Sequence, residues 1–192
     1  MQLRDFLSYE EIYIQCHDSP DADALASGFG LYTYFRNHGI KTHLIYTGRF
    51  RIRKANLVLM VEKLNIPVEY VEEGTLRLTD ELLLTVDSQY GAGNITKIPA
   101  EHIGIIDHHQ MEARNIPDSL ILSDFGSCST VVWKLLCEEQ FDPNDYPDLA
   151  TALYYGLYSD TQQFTEVHNP ADKDMHDALK YRNCLLYTSP SP

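Results

Sequence analysis

Four places in the sequence set carboxylates and imidazoles where solubility alone does not explain them. The first is His17-Asp18-Ser19-Pro20-Asp21-Ala22-Asp23, in which His17, Asp21 and Asp23 offer three ligand groups within seven residues. An EF-hand loop is excluded, because the glycine and the terminal bidentate glutamate that such a loop needs are missing. The second is Asp87, directly after the apolar run Leu82 to Val86. The third is Asp107-His108-His109, directly after Ile103 to Ile106. One carboxylate and two imidazoles at the end of an apolar strand are costly there without partners. The fourth is Asp160, in Gly156-Leu157-Tyr158-Ser159-Asp160-Thr161, where it ends a mostly apolar helix pattern. A carboxylate at a helix C-terminus opposes the macrodipole and calls for a cation.

Together these sites supply His17, Asp21, Asp23, Asp87, His108 and Asp160. Oxygen donors with some imidazole suit manganese, ahead of magnesium, and suit structural zinc less well. Six groups are too many for one ion that must keep positions open for substrate. Two divalent ions about 3.5–4 Å apart, bridged by one carboxylate, would use them all.

The elements that must position these groups follow from periodicity. Glu11 to Cys16 alternates Ile12 and Ile14 with Tyr13 and Gln15, which predicts a strand running into the His17 turn. A helix pattern follows through Leu25, Phe29, Leu31 and Phe35 and closes at Gly39. Lys41 to Tyr46 and Val68 to Val71 read as further strands, with an amphipathic segment from about Arg51 to Leu64 between them. Leu82 to Val86 and Ile103 to Ile106 are apolar throughout, as in strands buried on both faces of a parallel sheet. Strands alternating with helices predict a doubly wound α/β fold, a mostly parallel sheet with helices on both faces. After the strand-like Leu120 to Leu122 the chain turns helical, with segments Ser127 to Cys137, Leu149 to Tyr158 and one opening at Asn169-Pro170. An open α/β sheet binds ligands at the carboxyl ends of its strands, where three of the four sites fall.

The 192 residues suit one domain, and 44% hydrophobic with 22% charged residues is the composition of a globular protein. Against 28 acidic residues stand 15 basic ones, a net charge of −13. A partner such as long duplex nucleic acid would demand a basic face instead. The four cysteines have no metal or disulfide spacing and read as reduced, mostly buried thiols. With no signal-like N-terminus and no apolar run near the ~20 residues of a membrane span, the cytoplasm is the expected location and no membrane partner is expected. The ending Cys184 to Pro192 (CLLYTSPSP) fits neither helix nor strand and reads as a non-native tail.

The four motifs, in this order, resemble the DHH phosphoesterase family. The third is literally Asp107-His108-His109, the first matches the family's His-x-x-x-Asp-x-Asp, and Asp87 and Gly156 to Thr161 complete the set. The resemblance covers about residues 5 to 182 and implies a catalytic domain over residues 1–183. It implies that His17 and Asp21 hold one metal, that Asp23, His108 and Asp160 hold the second, and that Asp87 bridges them. His109 would face the substrate phosphate, and Asp107 would orient the histidine beside it. The implied reaction is hydrolysis of a phosphate ester or anhydride by a hydroxide activated between two metals.

Within the family, Gly156 to Phe164 and Ser127 to Leu136 look most like the branch acting on small substrates. That branch includes nanoRNases, nucleoside bisphosphate phosphatases, cyclic-dinucleotide phosphodiesterases and exopolyphosphatase-related proteins. The expected substrate is a small phosphorylated nucleotide or very short oligonucleotide, with free amides at the helix after Ser127 suited to its terminal phosphate. Members usually carry a second, substrate-binding domain with a Gly-Gly-Gly-His segment, and this sequence stops before one. Two alternatives stand beside this reading. A RecJ-like single-strand exonuclease would use Arg49, Arg51, Arg53 and Lys54 as a phosphate track, although these residues read first as a solvated helix face. A non-catalytic binding module would have lost ligands, and none is missing. A homodimer is compatible with the sequence.

Overall fold

A computed structural model describes residues 1–111 and 116–183. The expected tail, Cys184 among it, lies outside the described residues. The strands are β1 (Glu11–Gln15), β2 (Lys41–Tyr46), β3 (Val68–Tyr70), β4 (Leu78–Val86), β5 (Ala100–Asp107) and β6 (Asp118–Ile121). The helices are α1 (Ala22–Asn37), α2 (Ala55–Lys63), α3 (Cys128–Glu138), α4 (Pro147–Asp160) and α5 (Pro170–Asn183). All six strands are parallel, in the order β3-β2-β1-β4-β5-β6. The expected α/β class and parallel sheet are therefore present.

Strand order reverses between β1 and β4. From β1 the chain winds outward through α1, β2 and α2 to β3, then returns to β4 and winds the other way. Leu82 to Val86 of β4 are all buried, as their unbroken apolar run requires in the middle of such a sheet. β4 begins four residues earlier than its apolar run because Leu78 also pairs with β5. Asp80 and Glu81 lie where the register shifts, and Glu81 accepts a hydrogen bond from the Thr79 amide at 2.9 Å.

The two faces of the sheet differ. On one, Ile12, Ile14, Leu44, Leu82, Leu84 and Val86 join buried residues of all five helices in the main core. On the other, Ile45, Leu78, Leu83 and Ile98 are buried with Tyr13, Val71, Leu76 and Tyr90. No described helix contributes to that second cluster, so the expectation of helices on both faces is corrected. The connections after β3 and β4 do cross the second face, but Gly74, Gly91, Gly93 and Pro99 punctuate them and they form loops. Buried Gln15 also points there, donating to the Thr96 carbonyl at 2.8 Å.

Arg49 to Lys54 also departs from expectation, since α2 starts only at Ala55 and these residues form the loop before it. There Arg51 stacks 4.7 Å from the Tyr70 ring, while Arg49 and Arg53 flank exposed Phe50. Of the described cysteines, Cys16 and Cys128 are buried free thiols and Cys137 is exposed. Among the described residues no helix is long and apolar enough to cross a membrane.

Candidate metal centre

The reversal between β1 and β4 leaves a crevice at their carboxyl ends, and the six expected ligands converge there. Asp21 is the N-cap of α1: its Oδ1 accepts the amides of Asp23 and Ala24, each at 3.0 Å. That fixes its Oδ2 at 3.9 Å from His17 Nε2. Two residues on, Asp23 sits in the first turn of α1 with 1% exposure. Asp87 follows β4 in the left-handed region, at φ 57°, and its amide still donates to the Ile106 carbonyl at 3.0 Å. Aspartate tolerates that conformation better than most residues. The carboxylate is thereby turned back into the crevice.

His108 lies at the centre. Its Nε2 is 3.8 Å from Asp23 Oδ2, 3.4 Å from Asp87 Oδ1 and 3.2 Å from Asp160 Oδ2. Its Nδ1 is 3.1 Å from the Phe125 carbonyl oxygen. A carbonyl only accepts, so Nδ1 keeps its proton and Nε2 is the ring nitrogen that can exchange its proton for an ion among the three carboxylates. Asp160, the last residue of α4, reaches this point because α4 packs closely on α1 and α3. A Cβ added at Gly156 would run into Ser129 Oγ and lie 3.0 Å from Asp23 Oδ1, so the approach requires glycine.

Two groups of ligand atoms result, His17 with Asp21 and Asp87, and Asp23 with His108 and Asp160, each with its atoms within 4.8 Å of one another, and a third such set joins Asp87 and His108 with His109. Asp87 faces both: Oδ2 is 3.9 Å from His17 Nε2 and Oδ1 is 3.4 Å from His108 Nε2. Buried Asp87 Oδ1 and His108 Nε2 have no hydrogen-bond partner among the described residues. A carboxylate oxygen and a ring nitrogen left without partners at the heart of a buried cluster fit a cation that both would ligate.

Burial, then the charge of Asp23, pushes the Asp87 carboxyl up to about 8. The same two causes raise Asp160 to about 7. Burial opposes the charged form of His108, but Asp87, Asp23 and Asp160 outweigh it and raise the imidazole to about 10. His17 is also raised, because Asp21 and Asp87 overcome its burial. This is a concentration of negative charge in which protons stand where positive ions would.

Asp107 and His109 lie at the rim. Asp107 Oδ1 accepts from His109 Nδ1 at 2.8 Å and from the His108 amide at 2.9 Å, while Oδ2 accepts from Gln89 Nε2 at 2.7 Å. The carboxylate therefore holds the ring of His109, whereas the ring of His108 is oriented by Phe125. The hydrogen bond to Asp107 is the main cause raising His109, whose side chain is 58% exposed. Beside it a cavity of about 220 Å³ is lined by Ser88, Gln89, Asn94, Asp107, His109 and Gln110.

The start of α3 corrects another expectation. The Cys128 and Ser129 amides are not free for a phosphate: they donate to Asp23 Oδ2 and Oδ1 at 2.7 and 2.8 Å. The third, Thr130, is capped by Ser127 Oγ at 3.1 Å. Sequence reading also missed Asp18. Its carboxylate accepts from Thr47 Oγ1 (2.6 Å), the Thr96 amide (2.8 Å) and Thr96 Oγ1 (2.8 Å), tying the loops after β2 and β4 to the His17 turn. Its place inside the His17 to Asp23 motif was the available signal.

The description "DHH family, N-terminal domain" matches residues 11–157. A probable manganese-dependent inorganic pyrophosphatase of Streptococcus thermophilus is 28% identical over 155 residues, 79% of this chain and 48% of that protein. An uncharacterized protein of Methanocaldococcus jannaschii is 28% identical over 154 residues, 80% of this chain and 31% of that one. The chain thus spans less than half the length of these curated relatives. Among solved structures, an exopolyphosphatase-related protein from Bacteroides fragilis superposes with TM-score 0.67 at 18% identity, over 98% of this chain and 59% of that one. The exonuclease RecJ bound to manganese gives 0.52 at 15% identity, over 92% and 44%. These two likenesses concern the fold. The matched segment holds all six strands and five of the six expected ligands, and on that match the chain belongs to the DHH family.

Proposed function

We propose that this chain is the metal-binding catalytic part of a manganese-dependent phosphoesterase that hydrolyses small phosphorylated nucleotides or very short oligonucleotides. The observation that carries this reading is Asp87, with one carboxylate oxygen toward each ligand group. His17 and Asp21 would hold one ion, Asp23, His108 and Asp160 would hold the other, and Asp87 would serve both. Manganese suits this mixture of oxygens and imidazole, and manganese appears in the names of the pyrophosphatase relative and of the RecJ structure. Two divalent ions in such a site supply an acidified water and neutralise phosphoryl charge.

The protein's own groups do the rest. His109, held by Asp107, presents Nε2 at the rim, where an imidazolium would bind a phosphoryl oxygen. The cavity beside it, about 220 Å³, is smaller than the roughly 300 Å³ at which drug-sized sites begin. That space suits one phosphoryl group of a small substrate, with the rest of it lying outside, and does not suit a strand. The charge of −13 likewise offers little attraction to a long polyanion.

The test compares manganese-dependent turnover of pyrophosphate, a 3′,5′-bisphosphate nucleotide, a dinucleotide and a long single strand, using the chain and any longer product of its gene. Faster turnover of the bisphosphate or dinucleotide is expected. If the long strand is degraded fastest, with steep inhibition by salt, the RecJ-like reading replaces this one. If pyrophosphate is turned over fastest, the substrate is the inorganic anhydride.

A further inference from the structure

We infer that Asp172, in the first turn of α5, is a positioning residue for the metal centre and acts on His108 through one peptide group. The inference rests on the reading of His108 as a metal ligand. The carbonyl that accepts from His108 Nδ1 belongs to Phe125. The N–H of that same peptide bond, on Gly126, donates to Asp172 Oδ2 at 2.9 Å. Histidine ring, peptide group and carboxylate thus form one chain of contacts, of which only Asp172 lies outside the segment matched to the family.

Asp172 is fully buried, and its Oδ1 has no hydrogen-bond partner among the described residues. A buried carboxylate left half satisfied is an expensive way to hold one amide, and a neutral side chain would do that at less cost. The charge has a use if it is passed on. A peptide bond is conjugated, so an anion at its N–H end moves electron density to its oxygen and makes that oxygen a stronger acceptor. The stronger acceptor holds the proton on Nδ1 and raises the basicity of Nε2. A carboxylate touching a ligating histidine has this effect directly; here the peptide is interposed.

The packing is built for the contact. A Cβ at Gly126 would lie 2.8 Å from Asp172 Oδ2 and 2.9 Å from Thr161 Cγ2, so only glycine lets the carboxylate reach the amide. Thr161, which directly follows Asp160, closes on the same glycine, so the segments that orient His108 and carry Asp160 meet beside Asp172.

Asp172→Asn keeps the shape and removes the charge. Calorimetric titration of the protein with manganese should show one site weakened about 10- to 100-fold, the cost typical of losing such a partner. The other site should keep its affinity. In the nitrogen-15 NMR spectrum, titrated with diamagnetic magnesium, the His108 Nδ1–H resonance should move upfield in the variant. Wild-type affinity at both sites with an unmoved Nδ1–H resonance overturns the relay and leaves the metal reading intact. A wild-type protein that binds no manganese removes both together. Should the variant fail to fold, the wild type alone decides: the Gly126 amide and His108 Nδ1–H must shift together as magnesium binds. A Gly126 resonance that stays fixed while that of His108 moves rules the relay out.

Discussion

His17 and Asp21 stand four residues apart on a single turn, whereas Asp23, His108 and Asp160 are gathered from α1, the end of β5 and the end of α4. The two ligand groups meet at Asp87 but are built differently. In the first, Asp21 is fixed by the amides it caps, and its side chain is 45% exposed, so its charge is shared with solvent. In the second, Asp23 is 1% exposed and accepts two amides of α3, and His108 is the cationic group set against three carboxylates. A ligand group made by one turn costs the fold little when metal-free. A group made by tertiary packing concentrates charge at Asp23 and His108, where little water relieves it, and only Asp160, with 31% of its side chain exposed, keeps contact with solvent.

The largest effect that would break this comparison lies at the junction. Asp87→Asn should weaken manganese at both sites, by more than the roughly 100-fold that loss of an outer partner can cost. Asparagine tolerates the left-handed backbone of residue 87, so the fold should persist. One site titrating at full affinity in this variant would show that Asp87 serves a single group.

A smaller effect separates the groups in the absence of metal. With a chelator present at pH 7.5, His108→Gln leaves three carboxylates facing one another and should cost about 1–3 kcal/mol in urea unfolding. His17→Gln should cost less than about 1 kcal/mol, because Asp21 is solvated. Equal losses would mean that the remote group is no more strained than the local one.

The smallest effect is on pH dependence. Asp160, Asp87 and His108 all have folded values above their ordinary ones, about 7 against 3.8, about 8 against 3.8 and about 10 against 6.5. A raised value means that the folded state holds its proton more tightly. The stability is complete below the ordinary value and is lost as pH rises through the folded one. The metal-free protein should therefore lose stability steadily between pH 5.5 and 9. Manganese should stabilise it more at pH 9 than at pH 5.5, and thermal melts with and without metal at the two pH values measure this. A stabilisation independent of pH would contradict the charge argument.

Much of this was legible in the chain. The strands showed because Ile12, Ile14 and Leu82 to Val86 carry the period of half-buried and wholly buried strands. The candidate ligands stood out because each follows such a run or, like Asp160, ends a helix, and the fold brings them together. What periodicity could not show was which residues cover the second face. Tyr90 and Ile98 pack there from loops, and loops have no period. Nor could it show that the amides of α3 are taken, because Asp23 and Cys128 meet only through the fold. Asp18 was overlooked among stronger candidates, since its partners Thr47 and Thr96 are ordinary in sequence.

The strand order also has a consequence in time. β1 lies inside the sheet, yet its neighbour β4 pairs through Leu82 to Thr85. During synthesis one edge of β1 waits for residues roughly 70 positions later, about 4–14 s at ~5–20 residues per second. Until then Ile12 and Ile14 belong to an unpaired edge able to join another chain. The His17 turn can form in that interval, whereas the His108 group must wait for α4 and Asp160. An ion that arrives early meets only a shallow, weak ligand pair and cannot hold the nascent chain in a wrong pairing.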